Sequence, residues 1–291
     1  MDFSNCKRII NKAYSGANGK KISVLFEGKQ YMLKFPPSGY NKPTELSYTN
    51  SCFSEHIGSN IFNICGIKAQ NTMLGKYEIN RKIKIVCACE DFTAGGSILY
   101  DFCSIKNTII DSEHEGAGTE LIDILETIEK QQFLNSEYLL QFFWDMFIID
   151  ALIGNFDRHN GNWGFLYNPL ENASEIAPVF DCGSCLLPQA DEKVMDKVLS
   201  NEDELNSRIY RFPTSAIHYK GKKINYYDFL CSMINEDCNK ALKRMLTKID
   251  LSRINSFIDN DYYLTEKQKA FYKYYIQQRY EKILLAAYRK A

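Results

Sequence analysis

The sequence predicts an α+β chain in two unequal parts, a small β-rich part with one helix and a larger, mainly helical part. Three observations lead there. Up to about residue 92, short apolar segments separated by Gly, Pro and Asn turns dominate, and after it apolar residues recur at helical spacing. The 291 residues are enough for a sizeable core or for two lobes that share a cleft. A hydrophobic fraction of 45% against 24% charged residues is the balance of a folded chain, not a disordered one.

The elements of the first part follow in order. The cluster Ser15, Gly16, Ala17, Asn18, Gly19 and Lys20 is a turn, with Asn18-Gly19 its strongest signal. Residues 22–26 and 30–35 form two strands around Glu27-Gly28-Lys29, and Pro36-Pro37 stops the second. Thr44 caps a helix over 44–64, closed by Gly66. Strands over 70–77 and 83–90 follow, and 1–92 is read as one lobe ending in a connecting segment.

The second lobe, 93–291, opens with a glycine-containing loop stretch. It then shows helical patterns over 121–130, 136–153, 202–210, 226–233, 240–246 and 266–289. The helix over 136–153 is apolar nearly all round and is therefore expected at the centre of its lobe. It runs into Gly154-Asn155-Phe156-Asp157, and a strand over 163–167 lies beyond the loop.

Charge and composition exclude several classes. The net charge is -1, from 35 basic and 36 acidic residues, so the clustered basic surplus of a nucleic-acid binder is absent. The N-terminus has no apolar stretch of signal-peptide length. The most apolar run, 139–153, is interrupted by Asp145 and Asp150 and falls short of a bilayer span. A soluble cytoplasmic protein with no membrane contact is expected, with export by another route left open. Ten scattered cysteines read as reduced thiols, and Cys182 and Cys185, though spaced as CxxC, lack a second pair to complete a zinc site.

Chemistry concentrates in Asp157-Arg158-His159-Asn160-Gly161-Asn162. This polar loop after a buried helix is poor core and poor helix, and loops on rigid elements are where catalytic groups gather. An Asp followed five positions later by Asn is the spacing protein kinases use for a base and a magnesium ligand. The run 176–181 reads as a short strand ending in Asp181, and Asp181-Cys182-Gly183 makes a D-x-G turn. A carboxylate and an amide oxygen, Asp181 and Asn162, suit a hard cation that bridges phosphates.

Lys34 stands in an otherwise apolar strand, where a lysine needs a partner or solvent. A kinase lysine of this kind holds phosphates and pairs with a helix glutamate. Glu55 is favoured over Glu45, whose place in the first turn the helix dipole explains. Gly16, Ala17, Asn18 and Gly19 could cradle phosphates through backbone N–H groups, although they do not match the P-loop pattern. Glu90 and Phe92, where the composition changes, are placed to meet an adenine through the backbone.

Taken together, Gly154 to Trp163 followed by 176–181 resembles the HipA-like serine/threonine kinases. SGANGKKIS, YMLKFPP and DCGSCL, in that order, look most like its short cell-translocating kinase A branch. The resemblance spans nearly the whole chain. It implies a bilobal protein-kinase-like fold, ATP and Mg2+ as ligands, and phosphorylation of protein Ser/Thr hydroxyls, including autophosphorylation. Ser15, in the glycine turn, is a candidate for the modified residue. The resemblance also implies Asp157 as base, His159 as a shaper of the catalytic loop, Asn162 and Asp181 as metal ligands, and Lys34 as the phosphate-holding lysine.

Longer HipA toxins have an additional N-terminal subdomain that a chain of this length lacks, so an antitoxin partner is not supported. The order Asp-Arg-His also resembles phosphoinositide kinases, which keeps a lipid acceptor as the alternative. A kinase-shaped interaction module that binds nucleotide without transfer is the other.

Overall fold

Strands β1 (Lys7–Ile9), β2 (Lys21–Phe26), β3 (Lys29–Lys34), β4 (Thr72–Ile79) and β5 (Lys82–Glu90) form an antiparallel sheet in the order β1-β2-β3-β5-β4. The computed structural model describes residues 1–10, 12, 20–36, 49–110 and 115–290. The glycine turn with Ser15, Gly16, Ala17, Asn18 and Gly19, and the positions Thr44 and Glu45, lie outside the described residues.

Two hairpins set the register of this sheet. Glu27 and Gly28, at φ 48° and 78°, link β2 to β3, and Asn80 and Arg81, at φ 50° and 61°, link β4 to β5. Both are two-residue turns with left-handed residues, whose twist matches that of the strands they join. Alternation along β3 then divides its side chains. Tyr31 and Leu33 pack with Phe3, Val24, Phe35, Tyr77, Val86 and Ala88. Met32 and Lys34 face the other way, toward helix α1 (Ser51–Ile64) and the thiols of Cys52, Cys87 and Cys89.

The helix expected over 44–64 begins later than its Thr44 signal, at Ser51, because Thr49 and Asn50 form a turn. The physical reason lies across the chain. Asn50 donates its N–H to the Pro188 carbonyl at 3.0 Å and its amide to the Ala190 carbonyl at 2.6 Å. Tertiary hydrogen bonds there satisfy groups that would otherwise belong to a preceding turn of helix. Gly66, at φ 78°, follows the helix end.

The larger part is built around helix α4 (Ser136–Ile153), buried at every position from Phe143 to Ile153. Helices α2 (Phe102–Ile109), α3 (Leu121–Lys130), α5 (Glu192–Ser200), α6 (Glu202–Tyr210), α7 (Tyr226–Ser232), α8 (Glu236–Leu246), α9 (Leu251–Asp259) and α10 (Glu266–Arg279) surround it. The helical run after residue 266 changes to π-helical winding over Tyr280–Leu285. A second sheet, β6 (Ile98–Asp101), β7 (Gly164–Asn168) and β8 (Ala173–Ile176), brackets the loop that leaves α4.

The segment 176–181 is not the strand its apolar character suggested. Strand β8 ends at Ile176, and Val179 makes only an isolated bridge to Ala69. Pro178 has no N–H to continue a ladder. The bridge still matters, since Gln70 N–H and the Val179 carbonyl meet at 2.8 Å and join this segment to the chain entering β4. Among the described residues no helix is long and apolar enough to cross a membrane.

Candidate active site

The α4 helix ends at Gly154, whose φ of 63° lets the chain turn out of the core. Asn155 fixes the exit. Its amide donates to Asp150 Oδ1 at 2.8 Å, its Oδ1 accepts the Asp157 N–H at 3.1 Å, and its carbonyl accepts the Tyr226 hydroxyl at 2.5 Å. Asp157 therefore sits on a stem bonded to the most buried helix of the lobe.

Arg158 is the inner residue of the loop, and sequence reasoning gave it no role. Its Nε donates to Asp150 Oδ2 at 3.0 Å, and its Nη1 donates to the carbonyls of Asn162, at 2.8 Å, and Phe180. One guanidinium nitrogen thus holds the backbone of Asn162 and of the residue before Asp181. Its Nη2 meets Cys182 Sγ at 3.4 Å. The signal that could have found it was Asp150, a carboxylate inside an apolar helix.

The upper wall of the site is an ion cluster. Lys34 Nζ lies 2.8 Å from Glu55 Oε2 and 2.8 Å from Asp181 Oδ1. Burial works against the Lys34 ammonium, but the Asp181 and Glu55 charges beside it hold its pKa well above the ordinary value. The same contact holds the Asp181 carboxyl down at about 2. Glu55 falls in the second turn of α1 and is fully buried, and its Oε1 has no hydrogen-bond partner among the described residues. Lys21 stands directly across the β2–β3 ladder from Lys34, and burial with the Lys34 charge lowers its pKa. The sequence alone assigns Lys21 no role.

Close packing of α1 on the Asp181 turn sets these distances. A Cβ on Gly58 would stand 2.8 Å from Cys185 Sγ and 2.9 Å from Cys182 Cβ, and one on Gly183 would stand 3.1 Å from Glu55 Oε2. Glycine at both places lets helix and turn touch. The two cysteines are buried packing residues. Burial pushes the Cys182 thiol up to about 12 and the Cys185 thiol well above its usual range. Cys185 donates its S–H to the Ser54 carbonyl at 3.3 Å.

On the lower wall, burial is the largest influence on Asp157 and lifts its carboxyl above the usual carboxylate range; His159 opposes the rise and the Asp181 charge adds to it. A carboxylate raised in this way is a better proton acceptor. Asn162 donates its amide to the Asp157 carbonyl at 2.8 Å, which leaves its Oδ1 as the atom that can face a cation. His159 is exposed, and its Nδ1 accepts the Gly161 N–H at 3.0 Å. It therefore shapes the turn Asn160–Asn162. Asn160 anchors the other side of that turn to the carbonyls of Gly116 and Gly118, each at 2.9 Å.

At the end of β5 the two expected adenine contacts differ. Glu90 has its N–H on the Asn71 carbonyl at 2.8 Å and its own carbonyl on the Gln70 amide at 2.9 Å. Its carboxylate pairs with Lys29. The backbone of Glu90 is thus already engaged within the sheet. The Phe92 ring meets that of Phe180 at 5.8 Å, next to Asp181. Among the described residues there is no cluster of three or more His, Cys, Asp and Glu side chains suited to a metal. A cation here would meet one carboxylate and one amide, and other oxygens would complete its shell, as hard cations on phosphates allow.

Known proteins resemble this chain in different degrees. Over 295 residues the chain is 49% identical to Serine/threonine-protein kinase CtkA of Helicobacter pylori strain J99, covering 100% of this chain and 88% of that relative. The crystal structure of a proinflammatory kinase CtkA from Helicobacter pylori superposes with a TM-score of 0.92 at 48% identity, covering 100% and 98% of the two chains. The HipA, HipB and operator DNA complex of Shewanella oneidensis shares the fold, with a TM-score of 0.60 at 16% identity over 96% of this chain and 67% of the other. The family model of the HipA-like C-terminal domain matches residues 13–250. The chain belongs to the HipA-like C-terminal domain family.

Proposed function

We propose that this chain is an ATP- and magnesium-dependent serine/threonine protein kinase with lobes dividing after Phe92. The observation that carries the reading is Lys34, which spans Glu55 and Asp181 at 2.8 Å each, above a loop that presents Asp157 and Asn162. A phosphate-binding lysine, a carboxylate and an amide for a cation, and a base with a raised pKa are the parts phosphoryl transfer needs.

In this reading Lys34 and Lys21 meet the phosphates, and Glu55 keeps Lys34 extended from the sheet. Asp181 and Asn162 would hold Mg2+, which when bound neutralises phosphate charge. Asp157 accepts the proton of the attacking hydroxyl. The backbone of Phe92 meets the adenine edge, with Phe92 and Phe180 as apolar walls, and Gly16 to Gly19 would cover the phosphates. His159 and Arg158 act by positioning the loop. Protein hydroxyls are preferred to lipid head groups because the CtkA relative, matched over this whole chain, is named a serine/threonine-protein kinase. A net charge of -1 also offers little attraction for anionic lipid.

The test is transfer from γ-labelled ATP with Mg2+ to the protein alone, to a generic protein substrate and to phosphoinositide vesicles. Phosphoserine or phosphothreonine on protein is expected. Label in lipid alone would move the acceptor to head groups, and nucleotide binding without any labelled product would make the chain a docking module.

A further inference from the structure

Ser184 belongs to the turn that carries Asp181, but it faces the other wall. Cys182, Gly183 and Cys185 are used against Arg158, Glu55, Gly58 and Ser54. Ser184 is the residue of the turn whose side chain reaches the Asp157 carboxylate. Its carbonyl accepts the Phe156 N–H at 3.3 Å, and its Oγ donates to Asp157 Oδ2 at 3.4 Å. The backbone bond fixes where the hydroxyl can reach, and the carboxylate it reaches is the proposed base.

We propose that Ser184 is a positioning residue for phosphoryl transfer, holding Asp157 Oδ2 so that Oδ1 faces the acceptor hydroxyl. This deepens the kinase reading and rests on it. The physical need is clear from the stem of the loop. Bonds at 3.1 Å and 2.8 Å hold the backbone N–H and carbonyl of Asp157, but they leave rotation of its carboxylate free. A base that swings loses the alignment on which proton transfer depends. A hydroxyl on a rigid turn restricts that freedom, and it links the orientation of the base to the turn that carries the cation ligand.

The experiment is a kinetic double-mutant cycle on the full chain, with a generic protein substrate and γ-labelled ATP, using Ser184→Ala, Ser184→Thr, Asp157→Ala and the double variant. Loss of one hydrogen bond to the carboxylate should lower kcat of Ser184→Ala about tenfold, with KM for ATP and thermal midpoint unchanged. Ser184→Thr keeps the hydroxyl and should restore most of kcat. On the Asp157→Ala background, Ser184→Ala should cost nothing further, because a residue that acts through another is non-additive with it. An unchanged kcat, an equal loss on both backgrounds, or a loss that follows ATP affinity or thermal stability would overturn the proposal. Failure of the kinase reading would appear separately, as the absence of any labelled product from the parent chain.

Discussion

Arg158 and Asp150 form a desolvated ion pair beneath the loop 157–162, with Nε and Oδ2 3.0 Å apart and the two residues only 2% and 1% exposed. Burial raises the Asp150 carboxyl pKa, and Arg158 opposes that rise. Removing the carboxylate would strand a guanidinium that also holds Asn162 and Phe180. Asp150→Ala should lose about 3–5 kcal/mol in urea unfolding, the cost of an unpaired buried charge. A loss below about 1 kcal/mol would show that the pair reaches water.

Gly58 gives a sharper test of geometry. A methyl group there meets Cys185 Sγ at 2.8 Å, so Gly58→Ala should push the Asp181 turn from α1 and lower kcat/KM about tenfold or more. Cys185→Ala makes room and should restore part of that loss in the double variant. Equal activity of Gly58→Ala and the parent would mean that helix and turn can separate without cost.

The buried thiols predict a pH response. Burial raises Cys52, Cys65 and Cys182 to about 12, above their value of 9.0 in the open chain. Because the folded pKa lies above the unfolded one, the contribution to stability is complete below pH 9 and falls as pH rises past it. Alkylation by iodoacetamide at pH 8 should spare these thiols in the native protein and reach them on unfolding. Rapid native labelling of Cys182 would argue for a reactive CxxC pair.

Lys34 is expected to tolerate no replacement. Lys34→Met should reduce kcat/KM by about a hundredfold or more, the scale for loss of one charge-stabilising donor. Lys34→Arg should not rescue it, since a wider planar fork does not fit where a compact ammonium sits between two carboxylates. Near-parental kinetics for Lys34→Arg would count against the tight bridge to Glu55 and Asp181.

Much of this arrangement was legible because local chemistry and burial agree. The apolar helix over 136–153 is the α4 helix residue for residue, since its apolar pattern and the Gly154 that follows it coincide with its burial and its end. Other features are set by contacts distant in the chain. The start of α1 depends on Asn50 meeting Pro188 and Ala190, and the segment before Asp181 is held by Arg158 and a single bridge instead of a ladder. Helix α9 is overlooked although Leu251, Ile254, Phe257 and Ile258 recur at helical spacing, and α5 although Asp191 caps it and Met195 and Val198 share its buried side. Nor does any local pattern show that Gly58 must be small, because its reason is a cysteine on another segment.

The central claim is that Asp157 serves as the base of a phosphotransferase site whose nucleotide is held by other residues. It is tested most directly by comparing Asp157→Ala with the parent in two measurements on one preparation, transfer of γ-labelled phosphate to protein and affinity for ATP with Mg2+. The account predicts a loss of transfer of about 10²–10⁴-fold, the usual contribution of a positioned base, with nucleotide affinity unchanged, while Asp181→Ala weakens both. Full transfer by Asp157→Ala would contradict it.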